Sequence, residues 1–234
     1  IPFVVEMPSS TVENYLKAIW SLQGSLDGGG LVLIGHVAEK LSVTPGTATT
    51  MMNQLEKKGL IEYRPRRGVR LKEEGHKAAM QVLRRHRLIE TFLVEVMKLD
   101  WAEVHEEAEV LEHVVSDRLL KRMDVMLHHP THDPHGSPIP SPDGKITRDG
   151  TAILADCQPG CYILKRVRED QPGFLQWLSD LKLLPGTEFV LSSVNSMAGT
   201  LSLTLEKDEE VIEISNSASR SLLVVKVDCP LERN

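Results

Sequence analysis

The sequence predicts a mainly α amino-terminal region, a winged helix-turn-helix followed by further helices, and then a small all-β barrel. Three observations carry that expectation. Apolar residues recur at helical spacing through most of the first 129 residues; residues 128–150 are crowded with Pro, Gly and His and have no period; beyond them short β-rich runs alternate with turns. The expected division is 1–74 for the winged helix-turn-helix, 75–129 for a helical domain, 130–150 for a linker or extended lid, and 151–234 for the barrel.

Residues 9–24 form the first expected helix. Ser10 or Thr11 can cap it, and Tyr15, Leu16, Ile19, Trp20 and Leu22 recur at helical spacing until Asp27-Gly28-Gly29-Gly30 ends it in a loop. A short helix over 34–41, a tight turn at Ser42-Val43 and a second helix from Thr44-Pro45 to about Lys58 follow. The Thr44 hydroxyl can accept an amide hydrogen at a helix start, Pro45 has the φ of a first helical residue, and Gly59 can turn left-handed to stop the helix. Residues 60–63 and 69–71 read as short strands around the basic turn Arg64-Pro65-Arg66-Arg67-Gly68. From Glu74 a helix runs to Met97, Leu99-Asp100 breaks it, and the Gly- and Pro-free stretch from Trp101 to His129 reads as one long helix. Farther on, strands are expected over 162–168, 188–194, 200–205, 210–214 and 222–227, with a helix over 172–181 and a turn at Leu184-Pro185-Gly186. Short strands at such even spacing suggest a small antiparallel barrel. No internal repeat is present.

The chain has 234 residues, enough for one large domain or two to three small ones. Its net charge is −6, so no global field draws it to nucleic acid or anionic lipid, and any nucleic-acid binding must come from a local basic patch. Cys157, Cys161 and Cys229 have no zinc-ribbon spacing. Cys157 and Cys161, around a Pro-Gly turn, read as ordinary reduced thiols, which fits a cytosolic compartment. No run approaches the length of a membrane span, and the amino end lacks the charged and apolar regions of a signal peptide.

Helix, tight turn, helix, two-stranded wing: residues 34–71 have the order of a winged helix-turn-helix. The second helix carries Thr44, Gly46, Thr47, Thr49, Thr50 and Asn53 near its start, with Ala48, Met51, Met52 and Leu55 as its core face. Small hydroxyl side chains can approach phosphates and thymine methyls closely, Asn can pair with a base edge, and the helix start attracts phosphate. Arg64, Arg66, Arg67 and Arg70 on the wing, with Lys57 and Lys58, make a local positive cluster on an acidic protein. The plainer alternatives are a solvated surface or a protein-interaction module. Order, wing and charge agree, and they favour double-stranded DNA.

A second constellation follows. At about 100° per residue, His105, Glu109, Glu112 and His113 fall within an arc of roughly 100°. The apolar stripe Val104, Ala108, Leu111, Val115, Leu119 lies beside that arc. His86 and Glu90 sit at i, i+4 on the preceding helix, and antiparallel packing would bring them against His105 and Glu109. Carboxylates and imidazoles at a core margin point to a divalent metal, with room for two ions. The set is hard to borderline, without thiolate, which favours Mn²⁺ or Fe²⁺. A single Glu or His beside a core is usually a surface residue, and Glu103, Glu106 and Glu107 read as the solvated face. In the His-rich stretch, Asp133 and His135 could fold back as ligands, whereas His128, His129 and His132 read as incidental.

From about residue 9 to 228 the chain resembles the metal-dependent regulators typified by the diphtheria toxin repressor, the iron-dependent regulator and the manganese transport regulators. The resemblance rests on Thr11-Val12-Glu13-Asn14-Tyr15-Leu16, Arg85-His86-Arg87-Leu88-Ile89-Glu90, the stretch His105 to Asp117, and Asp133-Pro134-His135-Gly136-Ser137-Pro138-Ile139-Pro140, in family order. It implies a metal-loaded homodimer that binds a palindromic operator and represses metal-uptake genes. It also implies that 75–129 binds metal and dimerises, and that the barrel is SH3-like. Carried over by residue, a primary site would use Glu109, Glu112, His113 and Asn14, and an ancillary site His86, Glu90 and His105. Asp170 matches a carboxylate that some members donate across domains, and Asp133 and His135 match a loop that serves the ancillary site in some manganese-responsive relatives. Position 14 is Met in the iron repressors and Asp in several manganese regulators, and here it is Asn. Position 109 is Cys in the iron repressors and Glu here, which leans toward manganese. Gly173 stands where the diphtheria repressor has a ligating Gln.

The implied mechanism is that the metal ties the first helix to the dimerisation helices and so sets the spacing of two DNA-reading heads. Two rival classes compete with it. A carboxylate-bridged di-metal enzyme would explain helical Glu and His, but such bundles repeat a Glu-x-x-His motif, and no second copy occurs here. A metal-independent DNA-binding or scaffold protein would leave the imidazoles and carboxylates idle.

Overall fold

The computed structural model describes residues 9–24, 30–147, 150–205 and 211–229. Residues 27–29 of the expected glycine loop, position 210 of an expected strand and the amino end read for a signal peptide lie outside the described residues. The chain divides into two compact units, one ending at His86 and including Pro140–Lys145, the other holding Arg87–Ile139 and the chain from Ile146 on.

In the first unit, α1 (Ser10–Gly24) buries Val12, Tyr15, Leu16, Ala18 and Ile19. The short α2 (Ile34–Lys40) buries Val37 and Ala38. In α3 (Pro45–Lys57) the buried face is Ala48, Met52 and Leu55, with Met51 half-buried. Thr44 caps α3 as expected, its hydroxyl accepting the Thr47 N–H at 3.2 Å. Gly59 ends the helix at φ +74. β1 (Ile61–Arg64) and β2 (Gly68–Leu71) pair antiparallel, and a bridge from Val32 to Val69 adds a third segment to this small sheet. α4 (Glu73–Glu95) leaves the first unit at His86 and continues into the second.

In the second unit the helix expected from Trp101 to His129 is two helices. α5 (Val104–Leu111) ends with Glu112 as its cap, and α6 (Asp117–Met126) starts after Ser116, whose hydroxyl accepts the Leu119 N–H. No Gly or Pro marks this break. Its signals are the β-branched pair Val114-Val115 and a Ser-Asp start, which offers a better cap than a continued helix. Val104, Ala108 and Val115 pack with Ile89, Leu93 and Met123 as expected of the stripe, but Leu119 is half exposed and does not belong to that core.

The carboxyl-terminal part is an antiparallel six-stranded sheet of β3 (Ala152–Ile153), β4 (Gly160–Val167), β5 (Glu188–Asn195), β6 (Thr200–Leu205), β7 (Val211–Ser215) and β8 (Leu222–Lys226), in spatial order β3-β8-β4-β5-β6-β7. The two-residue β3 was too short to show a period in the sequence. α7 (Pro172–Asp180) buries Leu175 and Leu178 into the sheet's core, and Ala102 joins the same core from the segment before α5. The reduced-thiol expectation fails for Cys161, which forms a disulfide with Cys229, leaving Cys157 free. The chain after β8 runs beside β4, with Val227 N–H donating to Cys161 O at 3.0 Å, and a separation of 68 residues hid that pairing in the sequence. The cysteine argument for a reducing compartment therefore lapses.

Candidate functional site

The residues expected to read DNA are displayed by α3, its cap Thr44 and the β1–β2 wing. Thr44, Gly46, Thr47, Thr50 and Asn53 are exposed and Thr49 is half-buried. Until a partner arrives, the helix's own backbone occupies their polar groups. Thr49 donates to Pro45 O at 2.8 Å, Thr50 to Gly46 O at 3.1 Å, and Asn53 to Thr49 O at 3.0 Å. Arg64, Arg66, Arg67 and Arg70 are all exposed on the wing, with Arg66 at φ +64 in its turn. Sequence reading missed Glu62. It lies directly across from Arg70 and two residues from Arg64, and its two oxygens accept from the Nε of Arg64 and of Arg70, each at 2.6 Å.

Glu90 on α4 is the hub of the second constellation. Its carboxylate is buried, with Oε1 3.2 Å from His105 Nδ1 on α5. His105 Nε2 lies 3.5 Å from Glu109 Oε1 and 3.5 Å from Asp170 Oδ2, just before α7. The other oxygen, Oε2, faces His135 Nδ1 at 3.9 Å. One ligand atom each from Glu90, Asp133 and His135 lie within 4.8 Å of one another, and all three residues are buried. His86 is buried one helical turn before Glu90, at the end of the first unit.

The loop that brings Asp133 and His135 here is anchored at several points. Asp133 Oδ1 accepts the backbone N–H groups of His135 (2.9 Å) and Ser137 (2.8 Å). Gly136 adopts φ +78, and a Cβ there would sit 1.8 Å from Lys165 O on β4, so no other residue fits. Val167 N–H donates to His135 O at 2.9 Å. Arg87 donates to Pro138 O, and its Nε stands 3.4 Å from Asp133 Oδ2.

The charges here are strained by burial. Desolvation, then the neighbouring Glu90 carboxylate, push the Asp133 carboxyl above its ordinary value, although Arg87 opposes the shift. Burial pushes the Arg87 guanidinium down to about 10. The orientation of His135 follows from its partners. Nε2 is 2.8 Å from Trp101 O, and a carbonyl only accepts, so Nε2 carries a hydrogen and the ring is held with Nδ1 toward Glu90. A ring oriented by a carbonyl, with its other nitrogen toward buried carboxylates, is the kind of donor a divalent cation takes. Sequence reading missed the Trp101 carbonyl and Arg87, since neither a backbone oxygen nor a buried Arg has a motif.

The residues expected to form a primary site lie on α5, in the turn after it and on α1. Glu112 is fully buried where α5 ends, its Oε1 3.4 Å from His113 Nε2. Glu109 and Glu112 each offer an oxygen within 4.8 Å of the other. The shared arc expected for His105, Glu109, Glu112 and His113 extends only to Leu111 as helix, and Glu112 and His113 follow in the cap and turn. Asn14 is half-buried on α1 in the first unit.

A winged helix-turn-helix joined to helices rich in buried metal-type ligands and to a small antiparallel sheet defines a class: metal-dependent DNA-binding regulators. Residues 7–69 match the iron-dependent repressor N-terminal DNA-binding domain, and residues 72–141 match the iron-dependent repressor metal-binding and dimerisation domain. A manganese-dependent transcriptional repressor solved in complex with manganese superposes with a TM-score of 0.85 at 32% identity, covering 92% of this chain and all of that one. The iron-dependent repressor IdeR of Mycobacterium leprae is 29% identical over 214 residues, 86% of this chain and 91% of its own. IdeR of Mycobacterium tuberculosis is 38% identical over 130 residues, 56% of this chain and 55% of its own. The chain belongs to this family of iron- and manganese-dependent transcriptional repressors. Family members are repressors rather than enzymes, which sets aside the di-metal enzyme. No helix among the described residues is long and apolar enough to cross a membrane.

Proposed function

We propose that this protein is a cytoplasmic, Mn²⁺- or Fe²⁺-responsive repressor of metal-uptake genes that binds a palindromic operator as a homodimer. The single observation that carries the metal assignment is the convergence of buried Glu90, Asp133 and His135, each offering a ligand atom within 4.8 Å of the others. Two carboxylates and an imidazole at that spacing are a donor set for a divalent cation.

Two sites per subunit are proposed. One uses Glu109, Glu112 and His113, with Asn14 added from the family resemblance. The other is built on Glu90 and His105, with His86 one turn back on α4, and draws on Asp133, His135 and Asp170. Oxygen and imidazole donors without thiolate favour Mn²⁺ or Fe²⁺, and Glu109 in place of Cys favours Mn²⁺. Thr44, Gly46, Thr47, Thr49, Thr50 and Asn53 are proposed to enter the major groove, while Arg64, Arg66, Arg67 and Arg70 grip the backbone.

The dimer surface is proposed on α5, α6 and the turn between them, where Val110 is 66% and Val114 73% exposed and Leu119, Val125 and Met126 are half exposed. The test is metal analysis of the purified protein together with DNA-binding titrations in Mn²⁺, Fe²⁺, Zn²⁺ and Co²⁺. About two ions per subunit and tight DNA binding only with Mn²⁺ or Fe²⁺ support the reading. A protein that takes up no metal and binds DNA regardless refutes it.

A further inference from the structure

We propose that Glu62 is a positioning residue for DNA: it fixes the two wing arginines Arg64 and Arg70 as a pre-oriented, partly neutralised pair and so restrains non-specific binding to phosphate. The proposal rests on the family's DNA-binding activity and goes beyond it to a residue that opposes that binding.

The arrangement follows from strand geometry. Glu62 and Arg64 are two apart on β1 and so share a face, and the register sets Arg70 of β2 directly opposite Glu62. The intervening Tyr63 pairs with Val69, which is fully buried, so the Glu62 face is the outer one. Glu62 is half-buried beneath the two longer side chains, and each of its oxygens takes one guanidinium by its Nε. Two charges on one carboxylate hold it ionised, Arg70 first and Arg64 second. A guanidinium has five donors, so one engaged through its Nε edge keeps others for a phosphate oxygen, now in a fixed direction. At 46% and 47% exposure of the two arginines, such pairs add little to stability, and their effect must be sought in the partner.

The chemistry predicts a trade. The carboxylate competes with phosphate for the same two cations, which lowers affinity for any duplex. It also lowers the number of counterions released per binding event. A selected operator, gripped also by α3, loses less from this than random sequence does, so Glu62 widens the ratio between them.

The experiment uses the full-length protein with Mn²⁺, a random-sequence duplex and a duplex selected by the protein itself, titrated across salt concentrations. In Glu62→Gln, the plot of log affinity against log salt on random duplex is expected to steepen by about 1, the contribution of about one further phosphate contact. The selected-to-random affinity ratio is expected to fall several-fold. Adding Arg70→Gln to Glu62→Gln is expected to return the slope to the wild-type value. An unchanged or shallower slope in Glu62→Gln, with the selected-to-random ratio held or raised, overturns the proposal. A merely structural role predicts that shallower slope, because a disordered wing loses contacts on both duplexes.

Discussion

Glu90 Oε2 lies 3.9 Å from His135 Nδ1, while the other nitrogen of that ring already donates to the Trp101 carbonyl. The second oxygen of Glu90 lies 3.2 Å from His105. One buried carboxylate thus stands between imidazoles from a helix and from a loop. Replacing Glu90 with Gln keeps the shape and removes the charge. The expected result is a loss of Mn²⁺ affinity exceeding the roughly 10–100-fold cost of losing an outer-shell partner, measured by calorimetric titration. Affinity equal to wild type would remove Glu90 from the site.

Asp133 is expected to give the proposed site a pH dependence. Its carboxyl is held above the usual aspartate value by burial and by Glu90, so the metal-free fold keeps its proton to higher pH than an unfolded chain does. A cation must displace that proton. Metal affinity at the Glu90 site is therefore expected to fall as pH drops through the raised value, approaching tenfold per unit below it, and Asp133→Asn is expected to weaken binding and flatten this dependence. Titrations over a range of pH check both, and equal slopes for the two proteins would contradict the assignment.

Gly136 can be tested without touching a ligand. A Cβ there would meet Lys165 O at 1.8 Å, and the φ of +78 disfavours any side chain. Gly136→Ala is expected to lift the loop from β4, lowering metal stoichiometry from about two toward one per subunit. The readout is metal content after dialysis against Mn²⁺, with circular dichroism checking that the rest of the fold persists.

Ser116 separates α5 from α6, and its hydroxyl accepts from Leu119. Ser116→Ala is expected to lower stability by about 1 kcal/mol, read from urea unfolding. No change in the unfolding midpoint would mean that the break does not depend on this cap.

The disulfide makes a simple count. With Cys161 and Cys229 paired, the unfolded, non-reduced protein is expected to show one reactive thiol, Cys157, and three after reduction. Three before reduction would restore the reading of free thiols.

The sequence carried most of the fold because its signals were local. Thr44-Pro45 and Gly59 bounded α3, basic residues marked the wing turn, and short β-rich runs between turns marked β4 to β8. It failed where the deciding contact was distant or chemically quiet. The break before Ser116 has no Gly or Pro, β3 is two residues long, and Cys161 meets Cys229 across 68 positions. At the site, i, i+4 spacing pointed to His86 with Glu90, and geometry then joined Glu90 to His105. The carbonyl that orients His135 and the arginine that faces Asp133 belong to no pattern in the chain, since only folding places them there.

The most direct measurement is the affinity of the full-length protein for its own selected duplex, with Mn²⁺ and after complete chelation, by fluorescence anisotropy at fixed salt. The expected result is at least 100-fold tighter binding with Mn²⁺, lost in Glu112→Gln and reduced in Glu90→Gln. Equal affinity with and without the ion, in the wild-type chain, would contradict the link between buried ligands and groove reading.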